Sequence, residues 1–441
     1  RYVLNVSFRT DGSNNFGSDE QFNPTWSAGA VWHVSEETFM EVVRPVLSRL
    51  SLRVATGYTG NINKTVKPNL MMKYYKNFRI SDDENYRMGY INNAPNPKLR
   101  WEKTRDVKVA LDFGLWKDRI NGIVEAYWRK SKDCVTSEYV PVTTGFFNQS
   151  YNTSVLQNNG VEFSLSVAVL KSKDYNLSVS ANVAWNQNKL KKYNSPNTSL
   201  ALDKYVGYPM GAVFSGKYEG IDPETGMYKF KLRPDAVTNK DGYLREPNNY
   251  YYYLGTSVAP FTGGFNLNFS YKNIGLSVGG SYSVKAKMVD NIESPAGYEL
   301  LSGSKLESIP TPHNDLYRNH LNVKREVRNR WTPENRTGVK YPRLIDAYGK
   351  KLGLDLTNPT LTTITRGALL EDISYLRINT IALSYSLPQR VLERINFSSA
   401  ALNLTLNNFF TITKYSGIDP EVPGATYPVS RSVTIGLNVG F

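Results

Sequence analysis

The most regular feature of this chain is an alternation of apolar and polar residues with a period of two. Val433, Ile435, Leu437, Val439 and Phe441 fall on one side of an extended run; Ser432, Thr434, Gly436, Asn438 and Gly440 fall on the other. A period of two puts successive side chains on opposite faces of a β-strand. The pattern recurs along nearly the whole chain. Tyr2, Leu4, Val6 and Phe8 form one apolar set, then Trp26, Ala28, Ala30, Trp32 and Val34, then Leu50, Leu52, Val54, Thr56 and Tyr58. Further sets begin at Val107, Ile120, Val161, Tyr175, Phe265, Ile274, Ile381 and Leu402. Each run is close to the ~9–11 residues with which a tilted strand crosses a bilayer. One run is out of step: from Leu376 and Ile378 to Ile381 the apolar phase slips by one residue. That slip predicts either a β-bulge or a strand that starts above the membrane.

The connections sort by parity. Short links fall at Trp116–Asp118, Lys171–Lys173 and Lys272–Asn273, with modest ones at Ser35–Arg49 and Pro388–Ser399. Long links alternate with them, at about 10–25, 59–100, 131–159, 188–258, 285–372 and 411–429. Short periplasmic turns and long extracellular loops are the habit of outer-membrane barrels, whereas a soluble sandwich has no reason to sort its loops. The expected fold is therefore all-β, an antiparallel transmembrane β-barrel wall of roughly a dozen strands. Two modest links carry apolar residues at helical spacing: Phe39, Met40, Val43 and Val46 after Ser35, and Val391, Leu392 and Ile395 after Pro388. They are expected to be small elements that close the lower rim.

Composition agrees with this picture. Glycine and aromatics are abundant, with 32 Gly, 30 Tyr and 18 Phe in 441 residues. No stretch approaches the ~20 consecutive apolar residues of a membrane helix, and mean hydropathy is negative, as alternating strands require. The sequence opens Arg1-Tyr2-Val3-Leu4 as if already inside a strand, so upstream residues are expected. A single cysteine, Cys134, excludes an internal disulfide framework. Net charge is +14, but the basic residues are scattered, and solvated loops explain them better than a nucleic-acid surface. A basic outer surface also suits anionic lipopolysaccharide or an acidic partner.

Catalytic chemistry is sparse, and no enzyme is expected. The three histidines are His33, His313 and His320. His33 reads as a hydrogen-bonded wall residue, and His313 and His320 around Asp315 lack the spacing of a helical metal site. Asp222-Pro-Glu224 and Asp419-Pro-Glu421 read as Asp-Pro turns rather than cation loops. No cofactor is predicted.

Several segments, taken in order, resemble the SusC-like TonB-dependent transporters of the Bacteroidetes outer membrane. They include Arg9-Thr-Asp-Gly-Ser13 with Phe16-Gly17, Pro24-Thr-Trp-Ser-Ala-Gly29, and Gly57-Tyr-Thr-Gly-Asn61. They continue with Asn96-Pro97 and Leu99-Arg-Trp-Glu-Lys-Thr104, Asn158-Asn-Gly-Val-Glu162, Arg330-Trp-Thr-Pro-Glu-Asn335, Ser374-Tyr-Leu-Arg377, and Thr413-Lys-Tyr-Ser-Gly417 with Asp419-Pro-Glu421. The resemblance implies a barrel of about 22 strands with a plugged lumen. On that pattern, residues 1–441 would supply the C-terminal dozen or so strands, without the plug, the TonB-contacting segment and the first strands. It further implies a SusD-like surface lipoprotein as lid, energy from the TonB complex, and uptake of oligosaccharides or peptides. A passive porin-type channel is the alternative.

Ligand contact is then expected from aromatics in the long loops. The candidates are Tyr250, Tyr251, Tyr252 and Tyr253, together with Trp331, with Tyr74-Tyr75 as a lesser pair. Aromatic planes pack on the C–H faces of sugars, but they equally pack loops together, contact a lid or form an interfacial girdle. The alternating Val433, Ile435, Leu437, Val439 and terminal Phe441 match the signal read by the outer-membrane assembly machinery, with a first strand outside this chain as pairing partner.

Overall fold

The computed structural model describes residues 1–17, 20–61, 71–74, 89–146, 148–193, 205–224, 226, 228–231, 233–234, 251–289, 328–341, 366–423 and 427–441. Its main feature is a 12-stranded sheet in which every strand pairs antiparallel with the next barrel strand along the chain. In order, the strands are β1 (Tyr2–Gly12), β2 (Phe22–His33), β3 (Leu47–Asn61), β4 (Glu102–Leu115), β5 (Ile120–Tyr139) and β6 (Asn148–Lys171). They continue as β7 (Tyr175–Tyr193), β8 (Phe261–Tyr271), β9 (Ile274–Val284), β10 (Tyr375–Ser386), β11 (Ser399–Thr413) and β12 (Ser432–Gly440). The sheet has β1 and β12 at its edges. Strands β5 and β6 run well past the expected crossing length, so part of the long link predicted over 131–159 is a raised hairpin.

The register explains the alternation. Tyr2, Trp32, Leu52, Leu111, Val124, Phe163 and Val183 are successive cross-strand partners. Val179, Leu267, Val278, Ile381, Leu406 and Val433 form a second such row. These rows carry the outward face, where Leu4, Leu402, Ile435 and Leu437 stand exposed for lipid to cover. Ladder hydrogen bonds satisfy the backbone inside the bilayer, the condition that restricts spanning structures to helices and barrels.

The phase slip in β10 is a bulge. Ile378 faces Gly280 and Phe410, but Thr380 faces Gly279 and Asn407, so Asn379 is the inserted residue. Its side-chain oxygen accepts from Ser281 Oγ at 2.9 Å, and Asn408 opposite has φ of 59°.

The short links are tight. Between β4 and β5, Trp116, Lys117 and Asp118 all take left-handed φ of 50°, 57° and 61°, with Asp118 held by Ser48 Oγ at 2.9 Å. The two modest links hold small elements: 3₁₀ turns at Val34–Glu36 and Thr38–Met40, and an α-helix at Gln389–Arg394. Leu392 is buried there, whereas Phe39, Val43, Val46, Val391 and Ile395 stay exposed at the rim. No helix among the described residues is long and apolar enough to cross a membrane.

Candidate functional site

The long links build folded structure on top of the wall. Strand Ala212–Ile221 lies between Tyr251–Thr256 and Tyr228–Lys231 in a small antiparallel sheet. The turn after Ile221 is the predicted Asp-Pro turn, with Asp222 Oδ1 accepting from Glu224 N at 2.9 Å. Phe214 faces Tyr253 across the ladder, and their rings are 5.8 Å apart. Tyr208 joins both, 4.9 Å from each, and Tyr205 meets Phe214 edge-on at 5.1 Å. Distances of this order suit offset and edge-to-face ring packing. The segment bearing Tyr208 is tied to the top of β7: Leu190 N donates to Tyr208 O and Gly207 N to Leu190 O, at 2.8 and 2.7 Å.

A cleft of about 460 Å³ opens beside this cluster, walled by Tyr208, Met210, Tyr253 and Trp185 with the amides of Asn186 and Asn188. Asn188 Oδ1 accepts from Met210 N at 2.8 Å, and Asn186 Oδ1 accepts from Tyr127 Oη at 3.1 Å. Burial, and then the neighbouring phenol of Tyr208, pushes the Tyr253 hydroxyl above its ordinary pKa. Burial, and then Tyr251, does the same to Tyr205. Both phenols therefore stay neutral donors. Apolar planes beside amides, with Lys189 on the same lining, can bind a polar group; nothing here activates a nucleophile.

The predicted aromatics separate into different roles. Tyr250 and Tyr75 lie outside the described residues, and the Tyr74 side chain does too. Tyr251 and Tyr252 face Gly216 and Ser215 in the loop sheet, and Tyr253 lines the cleft. Trp331 belongs to the same cap but not to the cleft: its Nε1–H donates to Pro223 O at 2.9 Å, at the far turn of the loop sheet. A third loop closes on this sheet at Gly367, where an added Cβ would sit 1.8 Å from Gly216 O. Tyr208, Met210, Asn186 and Asn188 were missed by sequence reading; the Tyr-Val-Gly-Tyr-Pro-Met-Gly run at 205–211 was the available signal.

Two further clasps hold the loops. In the first, Phe16 stacks on Trp101 at 4.7 Å beside fully buried Leu99, and Trp101 Nε1–H donates to Gln21 O at 3.1 Å. Gly17 N donates to Leu99 O, and the backbone comes so near that a Cβ on Gly17 would lie 1.6 Å from Pro97 O. Arg100 pairs with Asp133 at 2.6 Å, joining the raised β5–β6 hairpin. In the second, Arg377 of β10 is 1% exposed and pairs with Asp419 and with Glu421, the latter at 3.1 Å. Asp419 also accepts from Glu421 N and Val429 N at 3.0 and 3.1 Å. Burial opposes ionisation of Asp419, but the Arg377 hydrogen bond and these N–H groups hold its carboxyl below the usual range. Tyr415 of the same loop packs in an apolar cluster with Ala286 and Ile373.

Below the cap, the inward face of the wall changes character around the sheet. On β3–β5, Arg53 pairs with Asp112 at 2.6 Å, Lys108 with Glu125 at 3.1 Å and Arg129 with Asp106 at 2.8 Å. On β8–β12 the same face carries mainly amides, hydroxyls and glycine, with Arg377 as its one charged residue. Ser180, Asn266, Gly279, Thr380, Asn407 and Ser432 are consecutive partners in one row.

The sequence model for the TonB dependent receptor-like, beta-barrel family matches residues 1–304. The chain belongs to that family. TonB-dependent receptor P26 of Formosa agariphila is 26% identical over 100% of this chain and 44% of its own length. TonB-dependent receptor SusC of Bacteroides thetaiotaomicron is 26% identical over 100% of this chain and 42% of its own length. The RagAB peptide transporter structure superposes with a TM-score of 0.78 at 26% identity, covering 100% of this chain and 46% of the other. The chain thus spans less than half the length of the curated relatives it matches. It is the C-terminal portion of a SusC/RagA-type TonB-dependent receptor barrel, a protein of the Gram-negative outer membrane.

In this receptor barrel His33 serves the wall, its Nδ1 lying 2.9 Å from Ser51 Oγ. His313 and His320 lie outside the described residues, and among the described residues no cluster of metal-ligating side chains occurs. At the lower rim Phe441 is 91% exposed apart from an edge-on contact with Phe397 at 5.1 Å.

Proposed function

We propose that the full-length protein imports oligomeric nutrients across the outer membrane. Residues 1–441 would supply the C-terminal part of its barrel and much of its extracellular entrance. The reading rests chiefly on the match of all of residues 1–441 to less than half of SusC and of the RagAB structure. The aromatic–amide cleft at the top of β7 adds a place for a polar chain to enter. Solute is bound and passed on without a covalent step. A SusD-like surface lipoprotein closes over the loops, the TonB complex acts through the part of the protein preceding these strands, and lipid and lipopolysaccharide surround the apolar rows. Tyr250 to Tyr253 and Trp331 contribute to ligand or lid contact; Tyr253 does so from the cleft, and Trp331 by holding the turn it caps. Val433, Ile435, Leu437, Val439 and Phe441 form the assembly signal.

The test is uptake of labelled oligosaccharides and peptides by cells carrying the full-length protein, with and without a functional TonB complex. Uptake that requires both the protein and TonB is expected. Equal passage without TonB would establish the porin-type channel instead.

A further inference from the structure

The two faces of β4 and β5 treat their cations differently. Toward the lumen each has a carboxylate: Arg53 pairs with Asp112, Lys108 with Glu125 and Arg129 with Asp106. Near the extracellular ends of the same strands, cations face cations. Arg105 is the cross-strand partner of Lys130, and Lys103 of Lys132. The Thr104 Oγ–Ser131 Oγ contact of 2.8 Å and the Arg129–Asp106 pair lie on the lumen side between them. Alternation therefore turns Lys103, Arg105, Lys130 and Lys132 outward, in step with Val107, Val109 and Leu111 on β4 and Val124, Ala126 and Trp128 on β5. All four are exposed, and among the described residues none of them joins an ion pair. Side chains directly opposed in a ladder have Cβ atoms only about 4.5–5.5 Å apart, and like charges there destabilise the sheet. Two such pairs side by side call for an anion from outside the wall.

Their height identifies its source. Trp26, Tyr58, Arg105, Lys130, Gln157 and Lys189 form one continuous outward row from β2 to β7, with Lys189 also bordering the Tyr208–Tyr253 cleft. Trp26 and Tyr58 pack at 5.8 Å in that row, and Val107 and half-exposed Trp128 stand directly below the cations. Aromatic girdles mark the level where a barrel leaves the hydrocarbon. The cations thus lie at the headgroup level of the outer leaflet, continuous with the lipid-facing rows. The corresponding positions on β8–β11 are apolar or aromatic instead, with Phe261, Tyr282, Leu376, Phe410 and Ile412.

We propose that Lys103, Arg105, Lys130 and Lys132 form a binding site for the phosphate groups of outer-leaflet lipopolysaccharide. The proposal rests on the barrel's place in the outer membrane and is independent of the importer reading. A phosphate can accept two parallel hydrogen bonds from the planar fork of Arg105, and the lysines add compact charges around it. One glycolipid can lay its acyl chains on Val107, Val109 and Trp128 while its phosphates meet the cations above. A soluble acidic partner would meet the cations but leave those apolar residues uncovered.

The test uses full-length protein purified in a non-ionic detergent and stripped of its native lipid. It is titrated with phosphorylated lipid A, with the same lipid after removal of its phosphates, and with phosphatidylglycerol. Bound lipid is read by native mass spectrometry, and Tm is followed alongside. Phosphorylated lipid A should bind most tightly, and Lys103→Gln/Arg105→Gln/Lys130→Gln/Lys132→Gln should weaken it by at least about tenfold. Lys171→Gln/Lys173→Gln/Lys272→Gln/Arg390→Gln, the same charge change at the periplasmic end, should bind as the parent does. Without lipid the first variant should melt no lower than the parent, because its like-charge pairs are gone; lipid A should raise the Tm of the parent alone. Equal binding of the dephosphorylated lipid would overturn the proposal, as would undiminished binding by the first variant. Phosphatidylglycerol held as tightly, and lost in the same variant, would overturn the assignment to lipopolysaccharide. A first variant that melts below the parent without lipid would show that the cations serve the fold, and would overturn it too.

Discussion

The two arcs of this barrel wall are roofed in opposite ways. Above the charged strands β3–β5, the loops are held by an apolar knot of Phe16, Leu99 and Trp101. Above strands β9–β12, whose one charged residue is Arg377, they are held by the buried ion pair of Arg377 with Asp419. In the first case the charges stay in the lumen wall, neutralised laterally and partly hydrated. In the second a single cation is taken out of the lumen and covered by a loop that brings its own carboxylates. Charge is thus distributed differently over wall and roof: the first arc carries ion pairs in both, with Arg100–Asp133 joining its roof, whereas the second gathers its pair under the loop.

The strongest way to break this contrast is to remove the cation. Arg377→Met leaves Asp419 buried without its partner, which should cost about 3–5 kcal/mol. Hydrogen exchange over residues 414–431 of the full-length protein should rise sharply, and unchanged protection would contradict the latch. Acid probes the same contact. Because the Asp419 carboxyl is held below its ordinary value, its contribution is complete above about pH 3.9 and is lost as pH falls through the lowered folded value. Exchange in this loop should therefore stay slow at mildly acidic pH and rise only in stronger acid.

On the other roof, Trp101→Ala empties the knot and should cost about 3–5 kcal/mol. Proteolysis should then open the β1–β2 and β3–β4 loops while leaving residues 414–431 protected. Cutting of both regions together would show that the two roofs are one cooperative unit. Between the faces of one strand, Leu404→Arg should destabilise the inserted barrel by about 2–4 kcal/mol, the cost of a cation on the lipid side near the midplane. Thr405→Arg, one residue on and facing the lumen, should be nearly neutral in the same unfolding titration. The smallest effect is expected within the charged arc. Lys108→Met leaves Glu125 directly opposite Glu162, but in a partly exposed setting that is worth roughly 1 kcal/mol or less.

Much of this wall was legible in the sequence because lipid and water impose opposite demands on adjacent residues. Leu402, Leu404 and Leu406 set against Asn403, Thr405 and Asn407 could only be a two-faced strand. The slip at Ile378–Ile381 was visible too, though only the partners of Thr380 showed it to be a bulge. The raised β5–β6 hairpin was hidden because above the bilayer neither face is lipid-bound, so alternation fades where the strands continue. The site was harder to read. Asp419-Pro-Glu421 was correctly a turn, yet nothing local pointed to Arg377, 42 residues away. The cleft joins Tyr208 and Met210 to Tyr253 and to β7, and such meetings of distant loops leave no periodic trace.

The most direct test of the two-faced wall is spin labelling of single-cysteine variants at 402–407 of β11 in the full-length protein, reconstituted in lipid bilayers. Labels at 402, 404 and 406 should collide with dissolved oxygen in the hydrocarbon, and labels at 403, 405 and 407 with a water-soluble nickel chelate in the lumen. Equal access of both reagents to both sets would contradict the account.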